Sequence, residues 1–464
     1  MQGLRVPGAS WLNRLRERIR KGPAPTVPWQ APVARGPITE AVLTPGSKSA
    51  TNRAFVLAAL ADGPGTIFGA LDARDTLLMR QGLEQLGARI ELERHPRFDT
   101  LDRLRVIPPR ALLPGASIDC GLSGTVMRFL PPLAALANGS TRFHGDAQAG
   151  PRPLRPLLDA LGDLGVEVEP RSLPFTVTGR GGVRGGEVTL DSSASSQFIS
   201  GLLMFACRCS EGLTIRHVGG PLPSRPHVDM TLAMLQDRGV DAAEIQPDVW
   251  RVEPGVIQPR DERIETDLMN MAPFVAAVLI TGGRAVFPWP EYTAQAADQV
   301  AAVLGSFGGD VRVVERGERG RPSELVLQVE GPDRLHGADL DLADVSELTC
   351  VAAALAALAD GPSRIRGVGH IRGHETDRLA ALERELGDLG ALVSQTDDGL
   401  EITPRKLSGG VFATYADHRM AHAGALLGLV TPGIVLDDIS CTTKTMPDFP
   451  GLWQQLLAGV VEAR

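Results

Sequence analysis

Lysine is scarce in this chain. Of 47 Lys and Arg residues among 464, only Lys21, Lys48, Lys406 and Lys444 are lysine, and arginine supplies the other 43. Where so biased a composition keeps lysine, either chance retained it or a compact, titratable ammonium is needed. Two of the four stand among small residues, in Gly46-Ser47-Lys48-Ser49 and Thr442-Thr443-Lys444-Thr445. A P-loop is absent, because Ser47 precedes Lys48 where that motif carries glycine. Long apolar runs are also lacking: the longest, Met271 to Thr281, is too short to span a bilayer. The five cysteines (Cys120, Cys207, Cys209, Cys350 and Cys441) are odd in number and follow no secretory signal, which points to reduced thiols in the cytoplasm. Cys207-Arg208-Cys209 offers two ligands without a partner pair, so no metal is expected. A net charge of −8 argues against a general nucleic-acid binder, though local basic pockets remain open.

What is present is an ordinary globular composition, 43% hydrophobic and 22% charged, in a chain long enough for two or three domains. Residues 1–32 differ from the rest. Trp11 to Lys21 has the pattern of a short basic amphipathic helix, and Gly22 to Val33 is Pro-rich. An Arg-biased transit peptide is one reading, but serine is sparse; a disordered N-terminal extension, or an incorrectly chosen start, is expected.

Beyond it, one form recurs six times: an Ala/Leu-rich helix, a glycine turn and a β-branched strand. The turn glycines are Gly63, Gly139, Gly212, Gly283, Gly361 and Gly433, spaced 71 to 78 residues apart. A second signature, a leucine-bearing helix end closed by glycine, falls at Gly87, Gly165, Gly239, Gly308 and Gly390 and runs into a strand each time. The sixth copy stops before that strand. Such periodicity predicts six units with helices packed inside and sheets outside, as two domains of three with a cleft between them.

Several segments break the apolar pattern where helices start. The strand-like Ile38 to Thr44 stops at Pro45-Gly46, and the helix that follows gathers Ser47, Lys48, Ser49 and Arg53 about its N-terminus, an arrangement suited to an anion. Cys120 to Arg128 starts a helix at Gly124, where the backbone is open to a ligand. Arg152 sits in a rigid Gly-Pro-Arg-Pro turn. Asp191 to Gln197 holds more serines than an N-cap needs, which favours sugar or phosphate binding by Ser195, Ser196 and Gln197. In the C-terminal half, Glu347, Glu375, Arg378, Arg419 and Lys444 lie in loop-to-helix settings. Glu375 and Arg378 also have the spacing of a surface ion pair. Together these residues predict a site for a multiply anionic substrate and acid/base chemistry.

The motifs PGSKSATNR (45–53), CGLSGTVMRF (120–129), GPRPLRPL (150–157), SASSQF (193–198), HETDRLAAL (374–382), YADHRMA (415–421) and TTKTMPDFP (442–450) resemble, in order and spacing, those of the 3-phosphoshikimate 1-carboxyvinyltransferase (EPSP synthase) family. The HETDR form is similar to its actinobacterial branch. The resemblance runs from about residue 35 to the C-terminus. It implies an α/β fold: a two-domain inside-out α/β barrel of six βαβαββ units, three per domain. The chain would cross between domains near Gly46–Ser47 and Glu265–Thr266, giving residues 33–47 plus 266–464 as one domain and 48–265 as the other.

The implied reaction moves the enolpyruvyl group of phosphoenolpyruvate (PEP) to the 5-hydroxyl of shikimate 3-phosphate. It is the sixth step of the shikimate route to chorismate, and it proceeds by addition and elimination without metal or organic cofactor. Residue by residue, the resemblance implies that Lys48, Gly124, Arg152, Arg378, Arg419 and Lys444 bind PEP. It implies that Lys48, Ser49, Arg53, Ser195, Ser196, Gln197, Ser224, Glu347 and His374 bind shikimate 3-phosphate, and that Glu347, Glu375 and Lys48 carry protons. His374 and His370 stand where many relatives have Lys and Asn, so affinity for shikimate 3-phosphate is expected to depend on pH. A cytoplasmic monomer with small-molecule partners, independent of nucleic acid and membrane, is expected. So is inhibition by glyphosate at the PEP site, since Gly124, Thr125 and Arg128 keep the pattern of sensitive members although Phe129 replaces a common Pro. The rival is the carboxyvinyltransferase acting on UDP-N-acetylglucosamine, which shares the architecture and needs a reactive cysteine, for which Cys120 is the candidate. A non-catalytic scaffold on a related fold would not need Lys48, Glu347, Glu375 and Lys444 together.

Overall fold

The Ala/Leu-rich runs form helices that have no solvent face. In a computed structural model describing residues 26–93, 103–317 and 323–459, Gly124–Ala134, Thr349–Ala357 and His418–Gly428 are buried at every position. Lys48–Ala59, Gln197–Ala206 and Leu268–Ile280 are buried at nearly every one. A helix apolar all round belongs inside. The alternate helices, such as Arg74–Gln85 and Arg155–Asp163, bury one face only. The end glycines Gly87, Gly165, Gly239, Gly308 and Gly390 all take positive φ, as a left-handed C-cap requires.

The fold is mixed α/β with six small sheets among the described residues. Four of the sheets share one order. In the first example, Ser117–Asp119 runs parallel to Asn138–His144, which pairs antiparallel with Phe175–Arg180, itself antiparallel to Glu167–Glu169. Asp339–Asp341, Ser363–Arg366, Leu400–Thr403 and Leu392–Gln395 repeat that order. Buried apolar side chains form two clusters, one drawn from residues 50–264 and one from 31–42 and 268–456. The chain passes between them twice, and the two passages lie side by side: Ser47 N–H donates to Glu265 O at 2.7 Å and Asp267 N–H to Pro45 O at 3.1 Å.

One sheet corrects the expected extent of the N-terminal extension. Val411–Phe412 pairs parallel with Val435–Leu436, and the antiparallel neighbour that the sixth copy lacks is Trp29–Gln30, from the other end of the chain. Ala31 N–H donates to Ile434 O at 3.0 Å, Ala31 is buried, and Trp29 packs edge-on against Phe449. The ordered body therefore includes residues assigned to 1–32. The Trp11–Lys21 helix lies outside the described residues. Among those described, no helix is long and apolar enough to cross a membrane.

Truncation separates the two parts of this segment. Removing residues 1–25 should leave the melting temperature near that of the full chain. Removing residues 1–31 deletes the strand and its packing and should cost about 2–4 kcal/mol, read by thermal or denaturant unfolding. Equal stability of both truncations would show that the Trp29–Ala31 strand contributes nothing.

Candidate active site

The first turns of the helices beginning at Lys48, Gly124, Gln197, Pro226, Leu268, Arg378 and His418 open onto one cleft with about 970 Å³ of open space. Short polar side chains hold several of these ends. Ser47 Oγ accepts from Ala50 N–H at 3.3 Å, Asp267 Oδ1 from Asn270 N–H at 2.9 Å, and Asp417 Oδ1 from Arg419 N–H at 2.8 Å. Positive helix ends thus face a common space.

From the 50–264 side, Lys48 reaches in with Nζ 3.5 Å from the buried carboxylate of Asp75. Arg128 donates to Gln197 Oε1 and to Pro153 O, both at 2.9 Å, and Arg152 to Leu122 O at 2.8 Å. Gly201 makes this possible: a Cβ there would lie 2.3 Å from Arg128 O, so only glycine lets the two helices approach. From the 268–456 side, Arg378 donates to Asp417 Oδ2 at 2.8 Å and Oδ1 at 3.2 Å, to Glu375 Oε2 at 3.0 Å and to His374 Nδ1 at 3.0 Å. Four of its five N–H groups are taken, and one is left. Glu375 Oε1 accepts from Lys444 Nζ. Arg419 donates to Met269 O at 2.7 Å. Arg128, Arg152 and Arg419 each keep a buried Nε–H without a partner among the described residues. Such groups are costly unless an acceptor meets them, which fits an anionic ligand.

Contacts also cross the cleft. Lys444 Nζ donates to Leu122 O at 3.3 Å. Ser224, at positive φ, donates its N–H to Ala343 O at 2.9 Å, and its Oγ lies 3.2 Å from Ser346 Oγ. His370 Nε2 continues that chain at 3.0 Å from Ser346 Oγ.

The two glutamates differ. Burial opposes the charge of Glu375, but Lys444, Arg152 and Arg378 outweigh it and hold the carboxylate well below its usual pKa. Both its oxygens are occupied. Glu347 is also lowered: desolvation pushes it up, and His227, Arg419 and Arg378 more than compensate. Its Oε2 is buried and has no protein partner. Burial lowers Lys444, with Glu375 opposing. Burial, reinforced by Arg378, keeps His374 well below the usual histidine pKa, and burial likewise lowers His370. In both histidines, the shift favours the neutral imidazole.

Of the expected site residues, Lys48, Ser49, Gly124, Arg152, Ser195, Gln197, Glu347, His374, Glu375, Arg378 and Arg419 line the cleft. Lys444 Nζ joins the cleft-lining Glu375 to Leu122 O on the opposite side. Three lie elsewhere. Arg53 is buried beneath the floor and donates to Thr231 Oγ1 at 2.7 Å, His227 O at 2.9 Å, Ser49 O at 3.1 Å and Ser200 Oγ at 3.1 Å, with burial pushing its pKa down to about 9. In this arrangement it clamps backbone and does not face the cleft. Ser196 is buried behind Ser195, and Ser224 serves the cross-cleft contact. Asp75, His227, Asp267, Asn270 and Gln295 were not singled out by sequence. Asp267 and Gln295 secure the second passage: Gln295 Oε1 accepts from Leu268 N–H at 2.9 Å, and its amide donates to Thr266 O at 2.8 Å. Asp267 has the form of an N-cap, and that is the one signal that marked it.

Cys120 is fully buried, and burial raises its thiol pKa, the reverse of a reactive cysteine. Cys207 and Cys209 are buried free thiols, and no metal-ligand cluster forms among the described residues.

Comparison with known proteins agrees with the motifs. The chain is 49% identical over 438 residues to the 3-phosphoshikimate 1-carboxyvinyltransferase of Kocuria rhizophila, covering 92% of this chain and 96% of that protein. Two solved structures of EPSP synthase from Acinetobacter baumannii share its fold, with TM-scores of 0.72 and 0.71 at 23% and 22% identity; they cover 91% of this chain and 96% and 97% of theirs. The family model described as EPSP synthase (3-phosphoshikimate 1-carboxyvinyltransferase) matches residues 33–453, and the chain belongs to that family.

Proposed function

We propose that this cleft transfers the enolpyruvyl group of PEP to the 5-hydroxyl of shikimate 3-phosphate, giving 5-enolpyruvylshikimate 3-phosphate and phosphate. The observation that carries the reading is one cleft lined by Lys48, Arg128, Arg152, Arg378 and Arg419, in which one glutamate has a free oxygen and another is locked between cations. PEP lies against Gly124, Arg152, Arg378, Arg419, Lys48 and Lys444. Shikimate 3-phosphate is held by Ser49, Ser195, Gln197, His374 and Glu347, with Ser196, Ser224 and Arg53 shaping that wall from behind.

In the addition, the Glu347 carboxylate accepts the proton of the 5-hydroxyl as that oxygen bonds to C2 of PEP, and C3 gains a proton to become a methyl group. In the elimination, C3 loses a proton, the C2=C3 bond re-forms, the C2–O bond to phosphate breaks, and the proton held by Glu347 departs with the phosphate. Both oxygens of Glu375 being occupied, the proton at C3 passes through Lys444 Nζ, whose acidity is raised by burial, with Glu375 as its counter-ion; Lys48 is the second ammonium within this reading. No cofactor enters these steps.

The six sheets are read as six βαβαββ units, three per domain, in an inside-out barrel with the buried helices at its centre. The two separate cores and the shared strand order support this. One domain comprises residues 29–47 and 266–459, the other 48–265, and the paired passages at Gly46 and Thr266 act as the hinge. The enzyme is read as a monomer from the family resemblance, and as cytoplasmic from its free thiols.

The decisive assay is phosphate release from PEP with shikimate 3-phosphate, with UDP-N-acetylglucosamine, or with neither. Release only in the first case is expected, and release with the UDP-sugar would overturn the reading. Glu347→Gln should lower turnover by roughly 10²–10⁴ while shikimate 3-phosphate still binds; near-normal turnover would remove Glu347 from the mechanism. Closure is tested separately. Opposed cations hold the empty halves apart and a phosphorylated ligand draws them together, so small-angle scattering should show compaction on adding shikimate 3-phosphate; an unchanged radius of gyration with binding confirmed would count against a hinge.

Glyphosate provides a further test of the PEP wall. A Cβ at Gly124 would lie 2.6 Å from Arg128 Nη1, 3.0 Å from Gln197 Oε1 and 3.1 Å from Arg152 Nη2. Gly124→Ala therefore intrudes beside Arg152, which is assigned to PEP, and against Arg128 and Gln197. Glyphosate is longer than PEP, so the variant should raise its inhibition constant more than the KM for PEP, measured at saturating shikimate 3-phosphate. Equal changes in both constants would show that Gly124 does not discriminate.

A further inference from the structure

The helix Pro226–Gln236 presents His227 to the cleft, and none of the roles above uses it. Its backbone is locked: His227 O accepts from Arg53 Nη2 at 2.9 Å and from Thr231 Oγ1 at 2.8 Å. The imidazole Nε2 lies 4.0 Å from Glu347 Oε1, and both side chains keep some access to the cleft, 16% and 22%. Glu347 sits in the one-turn segment Ser346–Leu348, packed on the other core. The contact therefore spans the cleft.

We propose that His227 is a positioning residue for Glu347: from across the cleft, beside Oε1, it holds the carboxylate in the orientation in which it meets the substrate hydroxyl. The proposal rests on Glu347 being the proton acceptor. A separation of 4.0 Å is longer than a hydrogen bond, as catalytic contacts often are before substrate tightens them. His227 faces Glu347, Arg53, Lys48 and Asp267, and Glu347 faces His227, Arg419, Arg378 and His370. Desolvation lowers the pKa of His227, Arg53 and Lys48 add to this, and Glu347 and Asp267 oppose it. A neutral imidazole that donates one N–H steadies a carboxylate without holding it as an ion, whereas the two cations on Glu375 do hold theirs. Because the partners belong to separate cores, the base is fully oriented only when the two sides meet.

The test measures kcat and KM for both substrates against pH, with equilibrium binding of shikimate 3-phosphate, in wild type, His227→Ala and His227→Gln. Wild type inactive with PEP and shikimate 3-phosphate would overturn the reaction itself before any variant is compared. In an active enzyme, His227→Ala should lower kcat roughly tenfold to a hundredfold, less than loss of the base, with Kd for shikimate 3-phosphate within about threefold. The acid limb should move to higher pH, because the carboxylate stays desolvated and loses a neighbour that favours its charged form. His227→Gln, whose amide N–H reaches the same oxygen, should recover much of kcat. In a Glu347→Gln background, His227→Ala should add less than about a twofold loss, since the two act as one unit. His227→Leu carries the same expectations should the alanine variant not fold. An unshifted acid limb with wild-type kcat, losses that multiply in the double variant, or a loss confined to shikimate 3-phosphate affinity would each overturn the proposal.

Discussion

A guanidinium held away from water destabilises a fold unless its N–H groups find acceptors. Arg378 is only 2% exposed, and much of the site follows from how it meets that demand. Asp417 takes two of its N–H groups and at the same time accepts from Arg419 N–H at the head of the helix His418–Gly428, so one carboxylate fixes both an arginine and a helix start. Glu375 takes a third N–H and passes the chain on to Lys444, which reaches Leu122 O on the far side. His374 takes a fourth at Nδ1, which leaves its Nε2 as the protonated nitrogen and keeps the ring neutral. Removing either partner of the Arg378–Asp417 pair would strand a buried charge and loosen the other groups that the lost residue holds.

The site is poor in acceptors relative to donors. Several arginines and an ammonium share the space with Asp267, Asp344, Glu347 and Glu375, and some of those carboxylates are already engaged. Arg152 lowers the pKa of Arg128, after burial, as like charges do at close range. Helix N-termini add positive potential to the same volume. A dense anion relieves this repulsion and supplies the missing acceptors in one step. Arg53 shows the opposite use of the same residue type: its bonds go to protein oxygens, so it stiffens the serine-bearing first turn at Ser49 and the backbone at His227 instead of meeting solvent.

Periodicity and end glycines made the helices legible, because both act within a few residues of chain. The scarcity of lysine marked Lys48, which stands beside Asp75, and Lys444, which stands beside Glu375, but it equally marked Lys406, which is exposed on a different face. Most of the cleft-lining residues were recognisable as motif residues. His227, Gln295 and Asp75 were not, since each is a single polar side chain whose role comes from partners 120, 29 and 27 positions away. Arg53 was legible as a motif residue, but its burial was not, because most of the acceptors around it come from two other helices. The strand at Trp29–Gln30 was hidden for the same reason: its neighbours lie about 400 residues later, and a Pro-rich local composition reads as linker.

Two glutamates with the same intrinsic chemistry end with different capacities because of what surrounds them. Glu375 has a cation on each oxygen, so a proton arriving there must first displace Arg378 or Lys444. Glu347 faces its cations at greater distance and keeps Oε2 unengaged. Both are ionised at neutral pH, so ionisation alone does not separate a base from a counter-ion; how closely cations hold the oxygens does. That difference depends on elements of both cores, since His227 flanks Glu347 from one side while Arg419 and Arg378 flank it from the other. A site divided in this way is complete on neither half. Under the proposed reading, an anion bound to one side alone would meet some of the donors but not Glu347, and Glu347 would be set among all its neighbours only where the second side closes on it. Coupling of substrate capture to proton transfer would then need no separate signalling element, because the same crossing of the cleft would serve both.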